Sequence, residues 1–82
     1  MKYDLEIKPR ALKDLTRLPV EDRIRMLARI EQLTNGLDGD IKKLKSHEPQ
    51  YRVRSGNYRA LFNIEGNKIV VYRVKDRKES YN

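Results

Sequence analysis

The sequence predicts an α+β fold of order β-α-α-β-β-β, a helix hairpin packed on one face of a mainly antiparallel four-stranded sheet. Three observations carry this. Residues 2–8 alternate polar and apolar, two later segments repeat at helical spacing on either side of Pro19, and two Gly-Asn dipeptides cut the second half into three strand-like runs.

In the first segment Tyr3, Leu5 and Ile7 share one face, the pattern of a half-buried strand. Pro9 suits the first turn of a helix, where its missing N–H costs nothing. Ala11, Leu12, Leu15 and Leu18 then recur at helical spacing, and Pro19 closes the segment. A second helix starts near Val20, with Glu21 and Asp22 in the turn where acids suit the helix dipole. Its expected apolar stripe is Ile24, Leu27, Ala28 and Leu33, flanked by Ile30, and Asn35-Gly36 ends it. Such a hairpin has one apolar side to bury, and a sheet is its natural partner. Asp38-Gly39-Asp40 reads as loop, and Ile41–Lys45 is ambiguous between loop and short helix. Strands are expected at Tyr51–Ser55, Tyr58–Ile64 and Lys68–Val74, with Gly56-Asn57 and Gly66-Asn67 as two-residue hairpin turns.

Eighty-two residues and 9.8 kDa allow a single domain, 1–82. Cysteine is absent and histidine occurs once, which excludes disulfides, thiolate chemistry and multi-histidine metal centres. No apolar run reaches the roughly 20 residues that span a bilayer, and acids interrupt the apolar positions of the N-terminus. A cytoplasmic protein without a membrane partner is expected. The net charge of +7 is unevenly spread. Residues 1–40 carry eight bases and eight acids; residues 41–82 carry eleven bases and four acids. Concentrated positive charge draws polyanions, and nucleic acid is the commonest in the cytoplasm.

Two-residue turns fix hairpin register. Ser55 then faces Tyr58, Arg54 faces Arg59, Val53 faces Ala60 and Arg52 faces Leu61. Arg52, Arg54 and Arg59 share one face; Tyr51, Val53, Ala60 and Phe62 share the other, assigned to the helices. Beyond the second turn Glu65 faces Lys68, a favourable pair, Ile64 faces Ile69 and Phe62 faces Val71. Leu61, Asn63, Val70, Tyr72 and Val74 fall on the arginine face and bring no carboxylate to it. Arginine opposite arginine destabilises a sheet. An anion such as a phosphate is the natural missing partner. The alternative is that Asp76, Glu79 or another tail acid folds back onto the arginines.

The run from Leu44 to Phe62, Leu-Lys-Ser-His-Glu-Pro-Gln-Tyr-Arg-Val-Arg-Ser-Gly-Asn-Tyr-Arg-Ala-Leu-Phe, resembles the central block of the RelE/ParE toxin superfamily. The ending Val74-Lys75-Asp76-Arg77-Lys78-Glu79-Ser80-Tyr81 is similar to the family's closing block, and the opening strand and Ala11–Leu15 also fit. The resemblance implies the toxin of a toxin–antitoxin pair. RelE-type members cleave mRNA in the ribosomal A site, the 2′-hydroxyl attacking the adjacent phosphate, with no metal or other cofactor. ParE-type members poison DNA gyrase instead. A degenerate, non-catalytic toxin acting as co-repressor is a third possibility.

Carried over by position, the catalytic set implied is Arg52, Arg54, Arg59, Arg77 and Tyr81. Two positions depart from the RelE pattern. Lysines are familiar where Arg52 and Arg54 stand, and a histidine where Asp76 stands. Arginine is a poor proton acceptor, so Tyr81, as base or as stacking platform, takes on more weight. Lys42, Lys43, Lys45 and Lys78 are expected to attract RNA phosphates, and Tyr72 to stack on a base. His47, before Pro49 in a loop, suits a structural role. Partners implied are a cognate antitoxin whose acidic or amphipathic segment wraps the helices and sheet, the ribosome with its mRNA, and operator DNA bound through the antitoxin.

Overall fold

The computed structural model describes residues 2–36, 41–46 and 48–78. Strand β1 (Asp4–Ile7) leads into helix α1 (Pro9–Thr16), with Pro9 in the first turn as its chemistry requires. Helix α2 (Val20–Leu33) follows at once and closes with i→i−3 hydrogen bonds, Thr34 N to Glu31 O, Asn35 N to Gln32 O and Gly36 N to Leu33 O. Strands β2 (Ile41–Lys43), β3 (Tyr51–Ser55), β4 (Tyr58–Glu65) and β5 (Lys68–Asp76) complete the chain.

The sheet has five strands in the order β1-β5-β4-β3-β2, not four. The extra one is Ile41–Lys43, which the sequence left between loop and helix; it pairs antiparallel with β3 at the sheet edge. Only β1 with β5 is parallel. Both hairpins take the expected register. Arg54 faces Arg59 and Ser55 faces Tyr58; Ile64 faces Ile69 and Glu65 faces Lys68. Gly56 and Gly66 hold φ of 60° and 66°, the left-handed region that a two-residue turn with glycine first demands.

The core lies between the hairpin and one sheet face. Ala11, Leu15 and Leu18 from α1 and Met26, Ile30 and Leu33 from α2 meet Val53, Ala60, Phe62, Ile69, Val71 and Val74. The stripe on α2 is thus Met26–Ile30–Leu33, at the same spacing but rotated from the expected one. Ile24 and Leu27 are exposed instead, at 61% and 39%, with Leu12 and Val20 also in solvent.

The sheet carries one irregularity. Leu61 faces Arg73 while Phe62 faces Val71, so Tyr72 is an extra residue, a β-bulge in β5. Past it the side-chain alternation is reversed. Val74, expected on the arginine face, lies in the helix-side core, opposite Ala60.

Candidate active site on the helix-free face of the sheet

Two adjacent rows of side chains cross this face. In the first, Lys42 of β2 faces Arg52, which faces Leu61. In the second, Arg54 faces Arg59, which faces Lys75. Arg52 is 8% exposed, and its Nε and Nη1 atoms, like Nε of Arg59, are shielded from solvent. Leu61 and Val70 are buried and form the apolar floor beside the cations. A guanidinium over an apolar floor is poorly hydrated, and it binds a phosphate more strongly than one in open water.

The Gly56-Asn57 turn joins this site to the last described residues. Asn57 O accepts the N–H of Arg77 at 2.8 Å, and Asp76 Oδ1 accepts that of Lys78 at 2.9 Å. Asn57, Asp76, Arg77 and Lys78 line an open cleft of about 470 Å³ at that end of the sheet. Asp76 itself faces Tyr58, in a row on the opposite face from Arg54 and Arg59.

Of the remaining expected residues, Lys43 faces Tyr51 on the helix side, its Nζ 6.0 Å from the ring centroid. Lys45 is exposed in the turn beyond β2. Tyr72 lies away from the arginines, at the β1 side of the face. Its hydroxyl donates to Glu65 Oε2 at 2.6 Å, and Lys8 Nζ sits 5.8 Å from its ring centroid. The carboxylate of Glu65 pushes the Tyr72 phenol above its ordinary value. Tyr81, Glu79 and His47 lie outside the described residues.

Elements outside the three-strand cluster bring acids to this face. At the Gly66-Asn67 end Glu6 binds Lys8 at 2.9 Å and Lys68 at 3.3 Å, and these contacts, Lys8 foremost, hold its carboxyl below the usual range. Lys68 therefore reaches Glu6, although Glu65 is its cross-strand neighbour. Glu48 Oε1 accepts from Asn63 Nδ2 at 3.1 Å, and Asn63 Oδ1 accepts the N–H of Gln50, which ties Glu48 and Gln50 to β4.

The residue that sequence reasoning missed is Lys75, and the contact behind it is Asp14. The Asp14 carboxylate, 7% exposed, accepts Arg73 Nε at 2.7 Å, Arg73 Nη2 at 3.3 Å and the Val74 N–H at 3.0 Å. Burial alone would raise its pKa. The Arg73 hydrogen bonds, the Val74 N–H and the charges of Arg73 and Arg10 outweigh that and hold it below the ordinary value. One helix side chain therefore clamps the strand on the C-terminal side of the bulge. Among the described residues, no cluster of three or more His, Cys, Asp or Glu side chains forms a metal site.

This chain resembles known proteins along most of its length. The family model for the ParE toxin of type II toxin–antitoxin systems matches residues 5–81. Toxin RelE3 of Methanocaldococcus jannaschii is 37% identical over 75 residues, 85% of each chain. RelE1 of the same organism is 37% identical over 84 residues, covering 96% of this chain and 93% of that one. Among solved structures, the RelB–RelE antitoxin–toxin complex from Methanococcus jannaschii superposes with a TM-score of 0.75 at 35% identity, over 89% of this chain and 91% of that one. The order of strands and helices, the arginine-bearing hairpin and these matches agree, and the chain belongs to the RelE/ParE toxin superfamily.

Proposed function

We propose that this protein is the toxin of a type II toxin–antitoxin pair and that it cleaves mRNA on the ribosome. The observation that carries the reading is the like-charged row Arg54–Arg59–Lys75 beside the buried Arg52, on the face that the helices leave open. A sheet accepts such a row at a cost to its stability, and a phosphodiester offsets that cost.

The chemistry fits the residue types. The 2′-oxygen attacks phosphorus and loses its proton to a base. The P–O5′ bond breaks, the 5′-oxygen takes a proton, and a cyclic phosphate and a 5′-hydroxyl remain. Charge builds on the non-bridging oxygens, where positioned guanidinium groups stabilise it most. Arg52, Arg54 and Arg59 supply that clamp, and Arg77 extends it from the neighbouring turn. Guanidinium groups are poor proton acceptors, so the base must be another kind of side chain. The base is assigned to Tyr81, from its place in the closing block that resembles the family's. Lys42, Lys45 and Lys78 hold flanking phosphates. The antitoxin is an amphipathic segment, for which the exposed apolar residues Leu12, Val20, Ile24 and Leu27 on the helix pair offer a dock.

Toeprinting of translating ribosomes with purified protein tests the reading. Cuts within the A-site codon are expected. Uncut mRNA on stalled ribosomes, together with intact cellular mRNA after induction, overturns it. The match to the ParE family model favours a second reading, a gyrase poison without chemistry of its own. Pulse labelling after induction separates the two, since the nuclease stops protein synthesis first and the poison breaks DNA while translation continues.

A further inference from the structure

The bulge at Tyr72 changes which residues the helix-free face presents. Regular alternation from Lys68 would turn Val74 onto that face and Lys75 toward the helices. The extra residue reverses this: Val74 sinks into the core at 4% exposure and Lys75 faces Arg59. Three cations then stand on three adjacent strands, Arg54 on β3, Arg59 on β4 and Lys75 on β5. They span two strand spacings, roughly 10 Å. The register is not a passive outcome, because the buried Asp14 carboxylate takes both the Arg73 guanidinium and the Val74 N–H. A bulge fixed from a neighbouring helix is a device for aiming a side chain.

We propose that Lys75 is a phosphate-contacting residue of the site, placed in the arginine row by the bulge that Asp14 holds. This rests on the reading of the face as an RNA-binding surface. Its ligand is a backbone phosphate of single-stranded RNA. The two arginines present planar forks that grip one phosphate; Lys75 presents a point charge on a flexible stem, suited to the neighbouring phosphate of the same strand. Lys75 is half-buried, and a lysine in such a position runs its apolar stem along the protein and keeps its charged head in water.

The test is salt-dependent binding of a 12-nucleotide single-stranded RNA to the full chain, followed by fluorescence anisotropy. Each phosphate contact adds about 0.7 to the slope of log K against log salt for single strands. Lys75→Met is expected to lower the slope by about 0.7 and to weaken binding roughly 3- to 10-fold at 50 mM salt. Lys75→Arg restores both, and Lys13→Met on the far side of α1 changes neither. If Lys75→Met leaves slope and affinity as in the wild type while Arg59→Ala weakens binding, the assignment of Lys75 is wrong and the RNA-binding face stands. If Arg59→Ala and the Arg54→Ala/Arg59→Ala pair bind as tightly as the wild type, the face does not bind RNA and both readings fall.

Discussion

The two ends of the helix-free face treat charge in opposite ways. At the Gly66-Asn67 end, Glu6 takes Lys8 and Lys68, and Glu65 takes the Tyr72 hydroxyl. At the Gly56-Asn57 end, Arg54, Arg59 and Lys75 line up across neighbouring strands, and the nearest strand acid, Asp76, is turned to the other face. Both ends use the same turn dipeptide and the same antiparallel geometry. The scaffold therefore does not force the imbalance. At one end opposite charges meet across the strands; at the other like charges do, and that is the end proposed to take a phosphate.

The strongest way to break this contrast is to make the second end resemble the first. Arg59→Glu puts an acid between Arg54 and Lys75 and should abolish toxicity on induction while the protein still folds. A toxic Arg59→Glu variant would remove the functional meaning of the row. Arg59→Ala, which deletes one clamp, is expected to slow mRNA cleavage roughly 10²- to 10³-fold without loss of folding. Single-turnover cleavage on programmed ribosomes together with thermal melts reads both.

Next in size is the clamp that positions Lys75. Asp14→Ala strands the buried Val74 N–H and takes the carboxylate away from Arg73. It should cost about 1–3 kcal/mol, seen as a drop of about 5–20 °C in melting temperature for a domain of this size. The sign with pH follows from the shift. The Asp14 carboxyl titrates below its ordinary value of 3.8 when folded, so its contribution is complete above that value and is lost as pH falls through the lower folded one. Asp14→Asn should therefore flatten the acid limb of a stability–pH curve measured by urea unfolding.

The smallest effects belong to the balanced end. Glu6→Gln breaks two exposed ion pairs and should barely move the melting temperature or cleavage, because such pairs trade solvent for each other. Tyr72→Phe frees Glu65 and leaves the ring over Lys8. If that variant lost cleavage, the hydroxyl would belong to the site and the division of the face into two ends would be wrong.

Much of this was legible in the chain because local rules decide it. Gly-Asn turns set hairpin register, and register alone places Arg52, Arg54 and Arg59 together. What escaped was set at a distance. Helix α2 carries apolar residues around more than one stripe, and docking on the sheet, not spacing, selects Met26, Ile30 and Leu33 over Ile24 and Leu27. The three residues of β2 are too few to show a period, and their strand character comes from pairing with β3. The bulge depends on Asp14, some sixty residues earlier, so no window around Tyr72 announces it. With the bulge unseen, regular alternation places Val74 on the arginine face and leaves Lys75 beyond the strand.

The parallel pairing of β1 with β5 has a consequence for how the protein is made. Helix α1 and the first strand are synthesised at once, yet both rest on the strand made last. During synthesis they lack their main packing surface until residues 68–76 have left the exit tunnel. The cationic row, which needs Lys75 beside Arg59, is likewise assembled only then. A nascent chain thus holds its charge as an unstructured string, and the charges become a face only when β5 is available to pair.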